Sequence, residues 1–541
     1  MSEATPAFEL WRAGILTFEA AGTYDNPFLD VEIWAAFTAP SGRVIRREAY
    51  WDGGNVWRVS FAPTETGVWA YTLEAPEVTG LDGCTGALEA VPYEGELAIY
   101  QHGFLKVSAD GRYFEHADGT PFFWLGDTHW EASWGERWDE SNHPGMQSQF
   151  RGMVDKRVAQ GYTVYQTNLR SDMGPGVNHF WVEGEHPGEN GERDLPNVAF
   201  YQNELDRRMA YIADAGLVNA LGQAWCFAIN REGGIEHQKH LARYILARYG
   251  ALPIVWTLAG ETAGYDLTPE VHQRHVDRWR EVALEIERRD GYGTLQTAHY
   301  TNERPFPDYY QNESWFDFTL NQAGHGDYLI TAEDYADFFA KHPGKPFVEG
   351  EAMYELCSTL EEMGTRLCTA DLLRRVAYMS IQLGGAGFTY GAQGIWDNVW
   401  EKVKEMNPFF AIFNRFNVTW VEAVDAPGAT QMGYMRRFYE DVHFWELAPV
   451  TVGDGGNLFA NKAPLATATA DRARIVAYYG DTARRSLKID GIDDAAVYRA
   501  RWFDPREGTY AEGEEVRAQE GTLTLPAKPN LGDWLVVLER V

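Results

Sequence analysis

Cysteine is scarce: four residues in 541, Cys84, Cys226, Cys357 and Cys368, with no CxxC pair among them. That count excludes a disulfide framework and the CxxC type of metal or redox site. Positive charge is short as well, with 47 Lys and Arg against 79 Asp and Glu and a formal charge of -32. A field of that sign repels polyanions, so nucleic acid and anionic membrane surfaces are excluded as partners. The acidic excess is scattered rather than gathered into a tail, as a solubilising surface requires. No apolar run approaches the length of a membrane span, and the N-terminus, MSEATPAFELWRAG, lacks the basic stretch and apolar run of a secretory signal. The expected location is therefore cytoplasmic. HExxH, P-loop, G-x-S-x-G and dinucleotide-binding fingerprints are missing from strand-helix junctions, so no cofactor is expected. Two histidine pairs at i, i+3 spacing, His237 with His240 and His272 with His275, fall in charged helical stretches and read as solvated faces rather than metal ligands.

What the chain has in quantity is aromatic residues: 14% of the total, including 20 Trp and 28 Tyr. Most belong in cores, but aromatic faces are also platforms for the C-H faces of sugar rings. The length predicts two or three domains. Residues 1–100 alternate apolar and polar positions in short runs such as Val31 to Thr38, Val56 to Phe61 and Gly67 to Leu73, broken by Pro40-Ser41-Gly42 and Asp52-Gly53-Gly54. That rhythm predicts an Ig-like β-sandwich. Residues 449–541 return to it, with Arg474 to Tyr479, Tyr498 to Phe503 and Trp534 to Leu538 as short strands of a second sandwich.

Between them, residues 101–448 alternate strand-like runs with segments of helical period, the rhythm of a (β/α)8 barrel. Eight strands are expected at Phe122 to Leu125, Thr163 to Thr167, Val218 to Gln223, Ile254 to Leu258, Thr294 to Thr297, Phe316 to Leu320, Pro346 to Val348 and Gly387 to Tyr390. Helices are expected at Glu204 to Ala215 and Gln238 to Tyr249, and a helical passage at Met406 to Trp420 and Gln431 to Trp445. The fold class is thus multidomain, a central (β/α)8 TIM barrel flanked by two antiparallel β-sandwiches.

In such a barrel the chemistry sits just past the C-terminal ends of the strands. The run LPIVWTLAGE, Leu252 to Glu261, is a short buried strand ending in two small residues and a carboxylate. Alone, Glu261 could equally cap the next helix. The other strand ends add Asp127, His129 and Trp130, then Asn168 and Arg170, Trp225, His299, Gln322 and His325. The seventh adds Glu349, Glu351, Tyr354 and Glu355, and the eighth Tyr390 and Trp396. Two carboxylates across one barrel mouth suit glycoside hydrolysis, one kept protonated to serve the leaving oxygen and one ionised beside the anomeric carbon. Glu349 and Glu351 lie two residues apart and share a face in a regular strand, so either can be the second.

The runs PFFWLGDTHW (Pro121 to Trp130), ARYILARYGALPIVWTLAGE (Ala242 to Glu261), WFDFTLNQAGH (Trp315 to His325), KPFVEGEAMYE (Lys345 to Glu355) and AYMSIQLGGAGFTYGAQGIW (Ala377 to Trp396) together resemble the apiosidase-like barrel of glycoside hydrolase family 140. The N-terminal sandwich resembles the domain of unknown function that often precedes this barrel, and WFDPREG (Trp502 to Gly508) the C-terminal domain type named for collagen binding. The resemblance implies a glycosidase with Glu261 as acid/base and Glu351 as nucleophile, preferred over Glu349 on the motif. The family's motif can carry Asp where Glu261 stands, so its sugar is not copied onto this chain. Asp127 and His129 are then expected at sugar hydroxyls, with a structural cap the competing role for Asp127. His299, Gln322 and His325 would orient the nucleophile or bind hydroxyls, and Trp225, Tyr354, Tyr390 and Trp396 would fence the ring or pack the core. The expected partner is an oligosaccharide or glycoside, and the activity an exo-acting, retaining release of a terminal pentose-like sugar from a plant or microbial glycan. Two other classes stay open: a carbohydrate-binding protein on a degenerate barrel, and a scaffold built from the sandwiches.

Overall fold

A computed structural model describes residues 5–541 apart from 77, 79, 170–179, 183–187, 232, 266–267, 325–331, 359–365, 405–407, 451–464 and 481–487. The alternating N-terminal runs pair as expected into two antiparallel layers. One is a five-stranded sheet ordered Ala7–Glu9, Thr85–Val91, Gly67–Glu74, Trp34–Thr38, Val44–Glu48, whose first strand joins in parallel; the other holds Gly14–Glu19, Val56–Phe61 and Tyr50–Trp51. Their inward residues interdigitate, Phe37 stacking on Phe61 at 3.8 Å between ring centroids.

The middle of the chain builds a parallel sheet of seven strands ordered Ile254–Gly260, Val218–Trp225, Val164–Asn168, Trp124–His129, Gly387–Tyr390, Phe347–Glu351, Thr319–Gln322. Every residue of these strands is buried, because the sheet curls around its own interior and helices cover the outside. The expected Thr294–Thr297 strand is not a regular one. The segment closes the gap between the two edge strands through single bridges, Trp256 to Gln296 and His299 to Leu320. Side chains supplement the backbone bonds there: the Gln296 amide donates to the Asp317 carboxylate at 2.8 Å and the Thr297 hydroxyl to the Phe318 carbonyl at 2.5 Å. The barrel is nearly closed, with an irregular fifth stave.

Boundaries moved elsewhere too. Pro121–Phe122 belongs to a small antiparallel sheet with Leu105–Val107 and Phe114–His116, and the barrel strand begins at Trp124. That sheet packs Phe114 and Phe122 against Trp124 and Phe318, sealing the N-terminal end of the barrel. The sixth strand lies at Thr319–Gln322 rather than at Phe316, which instead stacks on Tyr300 outside the sheet. Helices run over Asp206–Asp214, Gly234–Tyr249 and Pro427–Asp441, the first preceded by a wide turn at Tyr201–Leu205. The passage expected as helical from Met406 to Trp420 contains Pro408–Phe413 and a single turn at Trp420–Ala423; Met406 is outside the described residues.

The C-terminal strands form a six-stranded antiparallel sheet and a two-stranded one, with Ile475, Trp502, Leu523 and Val536 in a common core. Buried cations tie the flanking domains to the barrel. Arg47 donates to the Leu246 and Ser60 carbonyls, Arg248 bridges Asp52 and Asp206, and Arg374 pairs with Asp533. Among the described residues no helix is long and apolar enough to cross a membrane.

Candidate active site

Glu261 and Glu351 reach the same mouth from different strands. The Ile254–Gly260 strand carries a bulge against its neighbour, with register shifts around Gly222 and a left-handed Leu258 at φ +60°. A bulge re-aims the residues beyond it, and here the next turn begins on Glu261 itself, also left-handed at φ +55°. Two such non-glycine residues cost of order 1–3 kcal/mol each, strain that the surrounding packing sustains. Glu351 ends the Phe347–Glu351 strand, opposite Gln322 after a one-residue register shift. Gln322 Nε2 then donates to Glu261 Oε1 at 3.0 Å.

Both carboxyls are nearly sealed from solvent, Glu261 at 8% and Glu351 at 5% exposure. Burial, then the charge of Glu351, push the Glu261 carboxyl well above its ordinary pKa, with the Gln322 bond opposing them weakly. His299 stands between the two. Its Nδ1 accepts from the Glu261 amide at 3.4 Å, which assigns the ring proton to Nε2, and Nε2 faces Glu351 Oε2 at 3.1 Å.

An aromatic wall of Trp130, Trp225, Tyr354 and Trp396, packed with Cys357, stands beside this pair. Trp130 packs edge-on to both Trp225 and His299 and donates its indole N-H to the Tyr354 hydroxyl at 3.1 Å. The wall depends on two glycines that sequence reading passed over. A Cβ on Gly260 would lie 2.4 Å from the Trp225 ring, and one on Gly391 2.1 Å from the Tyr354 ring. Burial and then the Glu351 charge raise the Tyr354 phenol far above its usual range.

Several expected site residues lie below this layer. Glu349 accepts from Asn321 Nδ2, the Ala323 amide and the Tyr335 hydroxyl at 2.7–3.0 Å, which commits both oxygens, and burial raises it to about 7. Asp127 and His129, expected at sugar hydroxyls, are fully buried. His129 sits between the carboxylates of Asp127 and Glu136 and stacks on Tyr165, while Arg157 pairs with Asp127. Burial opposes the imidazolium, but Glu136 and Asp127 outweigh it and bring His129 to about 9. Tyr390 donates to Glu355, whose other oxygen accepts from the Gly428 amide. Asn168 Nδ2 holds the Ala224 carbonyl at 3.0 Å. These groups fix the strands that carry the mouth. Arg170 and His325 lie outside the described residues.

The histidine pairs are not solvated faces. His237 and His240 share the two oxygens of Asp194, and His275 is buried with Nδ1 on the Ala263 carbonyl. Among the described residues no group of three or more His, Cys, Asp or Glu side chains converges as a metal site. Two rim carboxyls escaped the sequence reading. Glu131 and Asp397 directly follow Trp130 and Trp396. Burial, then Asp397 and Glu136, raise Glu131 to about 8, and burial raises Asp397 to about 7.

Residues 108–446, more than half of the chain, match the sequence profile described as the apiosidase-like catalytic domain. The chain belongs to the apiosidase-like family. Residues 7–76 match a domain of unknown function, DUF5060, and residues 457–539 a profile described as "putative collagen-binding domain of a collagenase". No curated protein matches this chain at a significant level. Among solved structures, a "putative glycoside hydrolase" from Bacteroides vulgatus is 17% identical and superposes with a TM-score of 0.74, covering 99% of this chain and 100% of that one. A glycoside hydrolase family 5 protein from the same organism is 20% identical, with a TM-score of 0.65 over 81% of this chain and 94% of that one. At such identities they establish a common fold. The barrel of this apiosidase-like protein is a glycosidase catalytic domain, so its substrate is a glycan.

Proposed function

We propose that this apiosidase-like protein is an exo-acting, retaining glycosidase, with Glu261 as acid/base and Glu351 as nucleophile, that removes a terminal pentose-like sugar, furanosidic or related, from a plant or microbial glycan. One observation carries the reading: a buried Glu261 whose proton is held by burial and by the charge of a second mouth carboxylate, Glu351. A protonated Glu261 can deliver its proton to the leaving oxygen, and Glu351 can attack the anomeric carbon as that bond breaks. Once the charge on Glu351 is spent in the glycosyl bond, Glu261 loses its main electrostatic reason to stay protonated. It can then take a proton from the incoming water. His299, bonded to the Glu261 amide and facing Glu351, holds the two in a constant relation. Glu349 suits the nucleophile's role less well, because three donors already occupy its oxygens.

The aromatic wall supports a pocket for a single terminal ring, since Trp130, Trp225, Tyr354 and Trp396 crowd one side of the mouth. The test is to assay Glu351→Gln and Glu261→Ala against nitrophenyl furanosides and pyranosides and a panel of plant and bacterial polysaccharides. Losses of about 1,000-fold or more are expected for Glu351→Gln. Near wild-type turnover in both variants would overturn the assignment. Following the anomeric proton of fresh product by NMR decides retention against inversion.

A further inference from the structure

Beyond the two carboxyls, the rim carries an aromatic pair that the mechanism leaves unused. Phe227 lies two residues past the end of the Val218–Trp225 strand, on the turn Cys226–Asn230, and Tyr265 lies four residues past Glu261. The two adjacent strands are in register at Trp225 and Gly260, so both rings rise from one edge of the mouth. Their centroids are 5.8 Å apart at 60°. Phe227 is 37% exposed and Tyr265 is half-buried, so together they present apolar ring surface to solvent beside Glu261.

The turn that carries Phe227 is held rather than loose. His275 approaches the Phe227 ring at 6.1 Å and donates Nδ1-H to the Ala263 carbonyl, two residues past Glu261. Its Nε2 accepts from Asn230 on the Phe227 turn, and Arg278 Nη1 donates to Asn230 Oδ1 at 2.7 Å. Trp279 Nε1 anchors the start of the same turn through the Cys226 carbonyl. One histidine thus sets the Phe227 turn against the Glu261 loop. An isolated exposed phenylalanine needs no explanation, but one paired with a second ring, on a turn braced against the Glu261 loop, does.

We infer that Phe227 and Tyr265 form the leaving-group subsite, a stacking platform for the neutral sugar ring on the far side of the scissile bond. The inference rests on the roles proposed for Glu261 and Glu351. The proton donor must reach the leaving oxygen, while the nucleophile approaches the anomeric carbon from the strand across the mouth. The leaving group therefore lies on the Glu261 side, over the loops that bear these rings. A sugar ring offers an apolar C-H face that suits an aromatic plane, and the chain's charge of -32 favours a neutral ring over an anionic one.

The experiment presents one terminal sugar, identified by the panel above, on two leaving groups: methanol, which needs the acid but has no ring, and a neutral sugar. For Phe227→Ala and Tyr265→Ala the expected result is a fall in kcat/KM of about 5- to 20-fold on the disaccharide, through KM, and less than twofold on the methyl glycoside. Phe227→Trp should retain activity on the disaccharide. An equal fall on both substrates, or none on the disaccharide, overturns the inference. A calorimetric arm is independent of turnover: in a Glu351→Gln background, the same truncations should weaken disaccharide binding 5- to 20-fold and leave methyl glycoside binding unchanged. Wild-type turnover surviving in Glu261→Ala and Glu351→Gln would sink the catalytic assignment alone, since the kinetic comparison of disaccharide with methyl glycoside needs neither variant and still decides the subsite.

Discussion

A carboxyl group at 8% exposure beside a second carboxylate is a poor choice for stability and a good one for proton donation. The folded state binds the Glu261 proton more tightly than the unfolded chain does. Its stabilising contribution is therefore full below the unfolded pKa near 4.5 and is lost as pH rises toward the raised folded value. Glu261→Gln should accordingly raise the melting temperature at pH 8 and leave it unchanged at pH 4, as thermal unfolding across pH would show. Removing the partner's charge has a second consequence. In Glu351→Gln the Glu261 pKa should fall relative to wild type, which a carboxyl-selective infrared or NMR titration measures. The glycines act at this scale too. Gly260→Ala and Gly391→Ala each drive a Cβ into an aromatic ring of the wall, and should lower kcat/KM by roughly 10- to 100-fold with the fold retained.

Strand and helix ends decide what each element can offer. Alternation along the Phe347–Glu351 strand would give Glu349 and Glu351 one face, yet a register shift lies between them and their neighbours differ. Asn321, Ala323 and Tyr335 arrive from other parts of the chain to occupy Glu349, whereas Glu351 meets His299. No local pattern encodes that difference. The same holds for Asp127 and His129. Their position at a strand end was legible, but their burial beneath Arg157 and Glu136 comes from a helix and a loop that sequence reading could not orient. The fifth stave was legible as a segment and illegible as an irregular one, because side chains of Asp317 and Thr297 share the bonding with the backbone. Close packing of helices is testable here. A Cβ on Gly433, in the Pro427–Asp441 helix, would lie 1.9 Å from the Gln160 carbonyl oxygen, so Gly433→Ala should destabilise the barrel by about 1–3 kcal/mol in denaturant unfolding.

At the scale of the molecule, the sandwiches are joined to the barrel by buried charge as well as by apolar contact. Asp52 in the N-terminal domain holds Arg248 Nη1 at 2.9 Å and Arg58 Nε at 2.9 Å. Asp52→Asn leaves a buried guanidinium short of one partner and should cost on the order of 2–4 kcal/mol, read from denaturant unfolding, with kcat/KM at 25 °C unchanged. A fall in activity at equal folded fraction would mean that the N-terminal domain also shapes the mouth.

The sequence by itself determined the architecture, because the periods of its apolar residues differ between sandwich and barrel and its strand-end runs are long and ordered. It also determined that carboxylates cluster at one rim, since a barrel places every strand's C-terminal end on the same face. Tertiary contacts alone give these carboxylates different surroundings. Glu351 ends its strand beside His299, Glu349 is taken by three donors, and a bulge at Leu258 turns Glu261 into the mouth. Those surroundings depend on contacts between residues distant in the chain, and periodicity carries no record of them.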